Sequence, residues 1–151
     1  MKRFRFPLQP VAVLRAHQEI RAREAFAAAV HACVQAEETM NDARTRTAAL
    51  ASALQAGRRE LYRAAEAAYS LAAYRRECAV ELEAGRRLFA ARAEMQQRRG
   101  DYVEAHRKLK VVQRLEEKAR FSHSRAMHRE EQAEFDDFAG RRVARPALLH
   151  S

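Results

Sequence analysis

Proline is almost missing from this sequence: its copies are Pro7, Pro10 and Pro146, and none lies between Val11 and Arg145. A proline inside a helix removes a backbone hydrogen bond and clashes with the preceding turn, at a cost of about 3 kcal/mol. Glycine is also scarce, with four isolated copies. These absences exclude a fold rich in turns, and they predict long helices.

Large core-forming side chains are few. Tryptophan is absent, aromatic residues make up 7 % of the chain, and the mean hydropathy is -0.58 although 48 % of residues count as hydrophobic. Much of that fraction is alanine, which favours helix but buries little area, so a thick globular core is excluded. Charged residues at 32 % in an Ala, Glu, Arg and Leu background are typical of a coiled coil.

Residue patterns typical of catalytic, phosphate-binding or metal sites are missing as well. The glycines form no phosphate-binding loop, and the sequence has no His-Glu-x-x-His. His123 and His128 are five residues apart and lie on different helix faces, and the two cysteines, Cys33 and Cys78, are predicted to be reduced core residues far from each other. Because two helices enclose no pocket for catalysis, we predict a non-enzyme without cofactor, metal or small-molecule substrate.

No stretch of the sequence approaches the length of apolar residues that spans a bilayer. The basic N-terminus is followed by Pro7 and Pro10 instead of an apolar run, which is not the pattern of a signal peptide. We therefore expect a cytoplasmic protein.

A formal net charge of +9 raises the question of an anionic partner. Residues 1–70 carry 11 basic and 7 acidic residues, and residues 71–151 carry 18 and 13, interleaved in both halves. Five acid–base pairs have the four-residue spacing that supports a helix: Glu19/Arg23, Glu83/Arg87, Glu94/Arg98, Glu104/Lys108 and Glu116/Arg120. This pattern favours a solvated helical surface, and an Arg-rich helical nucleic-acid binder is the alternative.

Apolar and small residues recur at alternating spacings of three and four from Phe26 onward, as in a heptad seam that a partner helix must cover. The predicted seam reads Phe26, Ala29, Cys33, Ala36, Met40, Ala43, Thr47, Leu50, Leu54, Gly57, Leu61, Ala64, Ala68 and Leu71. The same spacing continues to Cys78, Leu82, Gly85 and Phe89, weakened at Arg75. Leu88, Met95, Tyr102 and Leu109 lie seven apart, and a change of phase is predicted near Val112.

One helix of this length would leave its seam exposed, so the chain is predicted to be all-α, a long antiparallel two-helix coiled-coil hairpin in a single domain, residues 1–151. Matching the lengths of the two arms places the turn at 66–70, with Ser70 as the cap of the second helix. The predicted helices are about 10–66 and about 71–139. Gly140 is the predicted stop, and residues 1–9 and 141–151 are predicted to be flexible.

Both ends of the chain resemble one protein family. The opening reads Phe4-x-Phe6-x-Leu8-Gln9-x-Val11-x-x-Leu14-Arg15, followed by Gln18-Glu19 and Ala22. The last third contains Leu109-Lys-Val-Val-Gln-Arg-Leu-Glu116 and Arg129-Glu-Glu-Gln-Ala-Glu-Phe-Asp-Asp-Phe-Ala139, with Asp137 where glutamate is usual in the family. These stretches resemble the flagellar export protein FliJ family, which is related to the YscO-type stalk proteins of injectisomes.

The resemblance implies a cytoplasmic component of the flagellar type III export apparatus, peripheral at the cytoplasmic face of the inner membrane. It implies two antiparallel helices like the central stalk of rotary ATPases. The implied partners are the hexameric export ATPase, the cytoplasmic domain of the export gate and export chaperones. A stalk protein of an injectisome remains an alternative, and so does a coiled-coil homodimer without an export role.

The resemblance also suggests where partners would bind. Near the ATPase it places two groups of residues: Phe4, Phe6, Leu8, Leu14 and Arg15, with Glu131, Asp136 and Asp137. The surface that would face the gate contains Tyr74, Cys78 and Leu82. For Leu14, Cys78 and Leu82, burial in the seam is the simpler prediction, and Phe4 and Phe6 are equally suited to fastening the N-terminus onto the second helix.

Overall fold

The computed structural model of the chain describes residues 3–59 and 63–143. Two helices make up nearly all of it: α1 spans Gln9–Arg59 and α2 spans Ala64–Val143. No strand occurs among the described residues. The helices pack against each other in antiparallel orientation, which confirms the predicted all-α hairpin.

The start of α1 agrees with the prediction to within one residue. Gln9 is its first residue and Pro10 the second, where a missing N–H leaves no acceptor unsatisfied. The backbone N–H of Gln9 donates to the carbonyl of Phe6 at 3.2 Å, and that of Ala12 donates to the carbonyl of Leu8 at 2.9 Å. The residues before the helix therefore supply acceptors for its first turn.

The predicted start of α2 at residue 71, with Ser70 as its cap, is wrong. Ser70 lies inside the helix, which begins at Ala64. The carbonyl of Arg63 accepts hydrogen bonds from the N–H groups of Glu66 and Ala67, at 3.0 and 3.1 Å. The segment after Arg63 is rich in alanine, and an acid in the first turn favours a helix N-terminus, so nothing delays the start to Ser70.

The matching of arm lengths fails because α1 has 51 residues and α2 has 80. The predicted stop at Gly140 is also wrong, since α2 continues through it to Val143 and no described glycine has a positive φ. Of the ends predicted to be flexible, Gln9 and residues 141–143 are helical. Residues 1–2 and 144–151 lie outside the described residues.

Contacts group the chain into two units. The terminal unit combines Met1–His17 with His106–Ser151, and the middle unit is Gln18–Ala105. Each unit contains one stretch of α1 and one of α2, and each is described by itself below. That the chain is a single domain stays a prediction.

The middle unit has a narrow core of small residues. Met40, Ala43 and Ala84 are its buried centre, with Leu88 packed against them, and Ala43 is fully buried. All predicted seam positions of α1 from Phe26 to Gly57 are buried or half-buried, so this part of the seam is confirmed. An alanine at the centre allows the two backbones to approach closely, which explains a stable pairing with few large side chains.

The predicted continuation of the seam into α2 is partly wrong. Leu82 and Phe89 are exposed by 60 % and 78 %, and Leu71 is exposed as well. The residues that face α1 are half-buried or buried: Tyr74, Glu77, Glu81, Ala84, Leu88, Ala91, Met95 and Tyr102. The turn resets the helical phase, so a spacing extended across it from α1 points away from the partner helix.

Contacts between side chains of the two helices define their register in the middle unit. Phe26 stacks on Tyr102. Ion pairs also join the helices, among them Arg46 to Glu77 at 3.2 Å, Arg92 to Glu37 at 3.2 Å and Arg44 to Glu81 at 3.9 Å. Partly exposed pairs of this kind contribute about 0–1 kcal/mol each, so they select a register more than they stabilise the fold.

The cysteines are free thiols, and Cys33 is buried in the middle unit. Phe26 lies opposite Tyr102 and Glu37 opposite Arg92, so Cys33 faces the part of α2 between those two residues.

In the terminal unit the predicted change of phase near Val112 does not occur. Leu115, Ser122 and Ala126 are exposed, whereas the heptad spacing continues through half-buried Glu116, Ala119 and His123. The spacing of Val112, Leu115, Ser122 and Ala126 suggested the shift, but the polar residues Glu116 and His123 occupy the inner face instead. Among the described residues, no helix has the length and hydrophobicity needed to cross a bilayer.

Candidate partner-binding surfaces

The N-terminal segment of the terminal unit is fastened to α2 by one aromatic ring. The Phe4 ring meets the imidazole of His123 edge to face, with centroids 5.5 Å apart and planes at 67°. The guanidinium carbon of Arg120 lies 4.9 Å from the centroid of the same ring. Cation–π contacts of this geometry contribute roughly 0.5–1 kcal/mol at exposed sites.

Arg120 is itself held in place. Its Nη2 donates to Oε1 of Glu116 at 2.9 Å and its Nε donates to the same oxygen at 3.2 Å. Glu116 therefore orients the guanidinium over the Phe4 ring. Together with Arg3, Arg5 and the proline-containing segment, these side chains border an open groove of about 1000 Å³.

The other residues expected near the ATPase from the N-terminal side differ in exposure. Phe6 and Arg15 are half-buried, while Leu8 is 41 % and Leu14 is 53 % exposed. The simpler prediction for Leu14, burial in the seam, is therefore wrong. An exposed leucine on a helix this polar is a candidate contact for a partner.

The side chains at the acidic end of α2 are exposed to solvent. Every residue from 132 to 142 is exposed, including Phe135 at 73 % and Phe138 at 62 %. Asp136 and Asp137 lie between the two phenylalanines in sequence, and the Arg142 guanidinium carbon lies 5.4 Å from the Phe138 centroid. This segment combines apolar rings with carboxylates in a way that suits a basic surface with apolar pockets.

Glu131 begins this end and is half-buried, with its Oε2 3.7 Å from Nδ1 of His128. The two groups of predicted ATPase-facing residues do not form one cluster. Phe4 lies at the level of His123, whereas Asp136 is thirteen residues further along α2, roughly 20 Å at 1.5 Å per residue. The terminal unit therefore offers two neighbouring surfaces instead of one.

The middle unit has an apolar groove on its outer side, about 510 Å³ in volume. Its lining residues come from both helices: Met40 of α1, and Cys78, Glu81, Leu82, Gly85, Arg86 and Phe89 of α2. Two of the three predicted gate-facing residues, Cys78 and Leu82, line it. The seam prediction fails for Leu82, which is 60 % exposed, and holds only in part for half-buried Cys78.

Tyr74, the third predicted gate-facing residue, is half-buried one turn before Cys78. A side-chain hydrogen bond with Cys78 raises the pKa of the Tyr74 hydroxyl above its ordinary value of 10.0, and negative charge on the Cys78 sulfur acts in the same direction. The phenol thus remains neutral well beyond neutral pH, as a hydrogen-bonding group at the edge of the groove.

Several surface residues were missed by the reading of the sequence. Arg120 and His123 contact Phe4, Phe89 and Met40 line the groove, and Phe135 and Phe138 are exposed at the end of α2. His123 could have been predicted to face α1, because it lies two heptads after Leu109. Phe89 was assigned to the seam, because spacing alone does not distinguish an inner stripe from an outer one.

The chain matches a known protein family over nearly its whole length. The sequence model of the family described as "Flagellar FliJ protein" matches residues 4–148. Neither the comparison with curated proteins nor that with solved structures finds a match. Because the family match covers nearly the whole chain, the chain belongs to the FliJ family and is a flagellar export-related protein.

Proposed function

We propose that the protein is a non-enzymatic, stalk-like component of the flagellar type III export apparatus that joins the hexameric export ATPase to the export gate. The terminal unit would dock on the ATPase, and the groove of the middle unit would receive the cytoplasmic domain of the gate. Membership of a flagellar export family supports the general role. Assistance to export chaperones is part of the proposal, without residues assigned to it.

The observation that carries the ATPase assignment is the bare acidic end of α2. Phe135 and Phe138 are exposed by 73 % and 62 %, so most of their apolar surface is in contact with water in the free protein. Fully burying a phenylalanine side chain is worth about 1.5–3 kcal/mol. Rings in this position are therefore candidate anchors, and Glu134, Asp136 and Asp137 around them would select a basic partner surface.

The gate assignment rests on the groove. Leu82 and Phe89 project at its border, and the charged side chains that line it are Glu81 and Arg86, which lies 3.9 Å from Glu83. A partner with apolar side chains would fit this surface. The proposed location, peripheral at the cytoplasmic face of the inner membrane, follows from these partners.

Two pairs of substitutions test the two assignments separately. Phe135→Ala with Phe138→Ala is expected to weaken binding to the export ATPase roughly 30-fold or more, the loss that a 2 kcal/mol anchor produces, and to leave binding to the gate domain unchanged. Leu82→Ala with Phe89→Ala is expected to do the reverse. Calorimetric titration of each purified variant with each partner measures both affinities.

Each pair is the control for the other, because both remove exposed apolar side chains from α2. ATP hydrolysis should rise when the wild-type protein is added to the ATPase and should rise less with the first pair. Equal affinity of all variants for both partners, with unchanged hydrolysis, would contradict the proposal. The injectisome and nucleic-acid alternatives are not favoured by the family match.

A further inference from the structure

The net charge of the protein is concentrated in one of its two units. The terminal unit contains 15 Lys and Arg against 7 Asp and Glu, whereas the middle unit contains 14 against 13. The two halves of the sequence carry similar net charges, so the sequence alone does not show this concentration. It arises because the terminal unit combines the first 17 residues with the last 46. The excess of +8 therefore belongs to a single part of the molecule.

Much of this charge lies along one line of α2. Residues at spacings of three and four share a helix face, and the exposed members of one such line are Val111, Arg114, Lys118, Phe121, Arg125 and Arg129. We call this line the basic stripe. It is about 27 Å long at 1.5 Å per residue, and no acidic residue belongs to it.

The cations of the basic stripe are available to a ligand. Arg114, Lys118 and Arg129 make no ion pair within the described part of the chain, and Arg125 contacts only the Phe121 ring, at 5.8 Å. Glu117 borders the stripe without pairing with a described residue, and Glu116 faces inward and holds Arg120. In the middle unit, by contrast, Arg44, Arg46, Arg87, Arg92 and Arg98 are paired with carboxylates.

Apolar side chains are interleaved with the cations. Phe121 is 66 % exposed and Val111 is 53 % exposed, with Leu115 beside them at 43 %. A phosphodiester backbone would bind the cations but would leave these side chains in water. A phospholipid headgroup layer would bind the cations and also shelter the apolar groups.

From this arrangement we propose that the basic stripe binds the surface of a membrane containing anionic phospholipids. Clusters of four or more Lys and Arg on a helix recognise such surfaces by charge. The five acids between Glu130 and Asp137 follow the stripe directly. Their repulsion by the same surface limits the contact to residues 111–129 and keeps the acidic end of α2 accessible to proteins.

Vesicle flotation with the full-length chain tests the proposal. Vesicles of phosphatidylcholine alone are compared with vesicles in which phosphatidylglycerol replaces part of it. We expect binding to the anionic vesicles only, and a decrease with added salt. The variant Arg114→Gln, Lys118→Gln, Arg125→Gln should lose on the order of 100-fold in partitioning, because each cation near such a surface contributes about a factor of five.

A matched control removes the same charge elsewhere on α2. Arg75, Arg76 and Arg99 are exposed in the middle unit and have no ion pair with a described residue, and their joint replacement by Gln should leave vesicle binding within about twofold of the wild type. Circular dichroism should show that all variants keep their helices. Equal losses in both triple variants, or equal binding to neutral vesicles, would overturn the proposal.

Duplex DNA at the same ionic strength separates the two anionic ligands. Phe121→Ala should weaken binding to anionic vesicles and leave binding to DNA unchanged. Tighter binding to DNA than to vesicles, with no effect of Phe121→Ala on vesicle binding, would show that the stripe is a nucleic-acid surface and would overturn the lipid assignment.

Discussion

The rings of Phe26 and Tyr102 lie nearly parallel, with centroids 6.2 Å apart and an angle of 10° between their planes. Eleven residues after Phe26, Glu37 pairs with Arg92, which lies ten residues before Tyr102. From one contact to the other, the position rises by eleven residues along α1 and falls by ten along α2. The two contacts therefore establish an antiparallel register.

A double-mutant cycle on the aromatic pair should detect this coupling. Phe26→Ala and Tyr102→Ala are each expected to destabilise the protein, and the double variant should lose about 0.5–1.5 kcal/mol less than the sum of the single losses. Urea unfolding followed by circular dichroism measures all four free energies. A strictly additive result would mean that the rings stabilise the helices independently of each other.

The fully buried Ala43 should not accept a larger side chain. Ala43→Leu is expected to cost about 1–3 kcal/mol, because added methylene groups must push the helices apart at the closest point of the core. Ala48→Leu, on the exposed face of α1, serves as the control and should change the unfolding free energy by less than about 0.5 kcal/mol. If Ala43→Leu were neutral or stabilising, the packing at this level would be looser than described.

Two glycines of α2 should be replaceable with a gain in stability. A Cβ at Gly100 would meet no other atom within 4 Å, and one at Gly85 would lie 3.7 Å from Cε of Met40, an ordinary van der Waals distance. Gly100→Ala and Gly85→Ala should each stabilise the protein by about 0.5–1 kcal/mol through helix propensity. A rise in Tm by differential scanning calorimetry is the expected result, and a fall for Gly85→Ala alone would indicate a clash with Met40.

Removing the Phe4 ring should release the N-terminal segment without unfolding the hairpin. Phe4→Ala deletes the contacts with His123 and Arg120, so amide hydrogen exchange near Phe6 and Gln9 should accelerate at least several-fold. Exchange in the middle unit should not change. Phe138→Ala removes an exposed ring elsewhere in the same unit and is the control, and equal exchange in Phe4→Ala and wild type would show that the ring does not fasten the segment.

The fold class and the α1 seam could be predicted because they depend on the spacing of apolar residues, which is visible in a single sequence. The turn could not be placed in the same way. Residues 64 to 70 have no proline or glycine, so composition did not distinguish a loop near Ser70 from one at Arg63. Extending the α1 spacing across the turn then assigned the wrong side of α2 to the core.

The wrong phase assigned to α2 also hid the groove of the middle unit. Leu82 and Phe89 have the composition of seam residues, and only the phase of α2 relative to α1 identifies them as exposed. The basic stripe was hidden for a different reason: Arg114 and Lys118 are separated by acids in sequence, but no acid lies in the stripe on the helix face. Phe4 was the exception, because a ring ahead of the first helix had no seam position to occupy.

The uncovered end of α2 links helix formation to recognition. Isolated helices shorter than about 12–15 residues are marginal in water, and residues 132–142 form an extension of similar length, with no buried side chain. Phe135, Asp136 and Asp137 are also below average as helix formers. A partner that binds this end would therefore also stabilise the helix there. Its apparent affinity would rise with any substitution that makes the last turns of α2 more helical in the free protein.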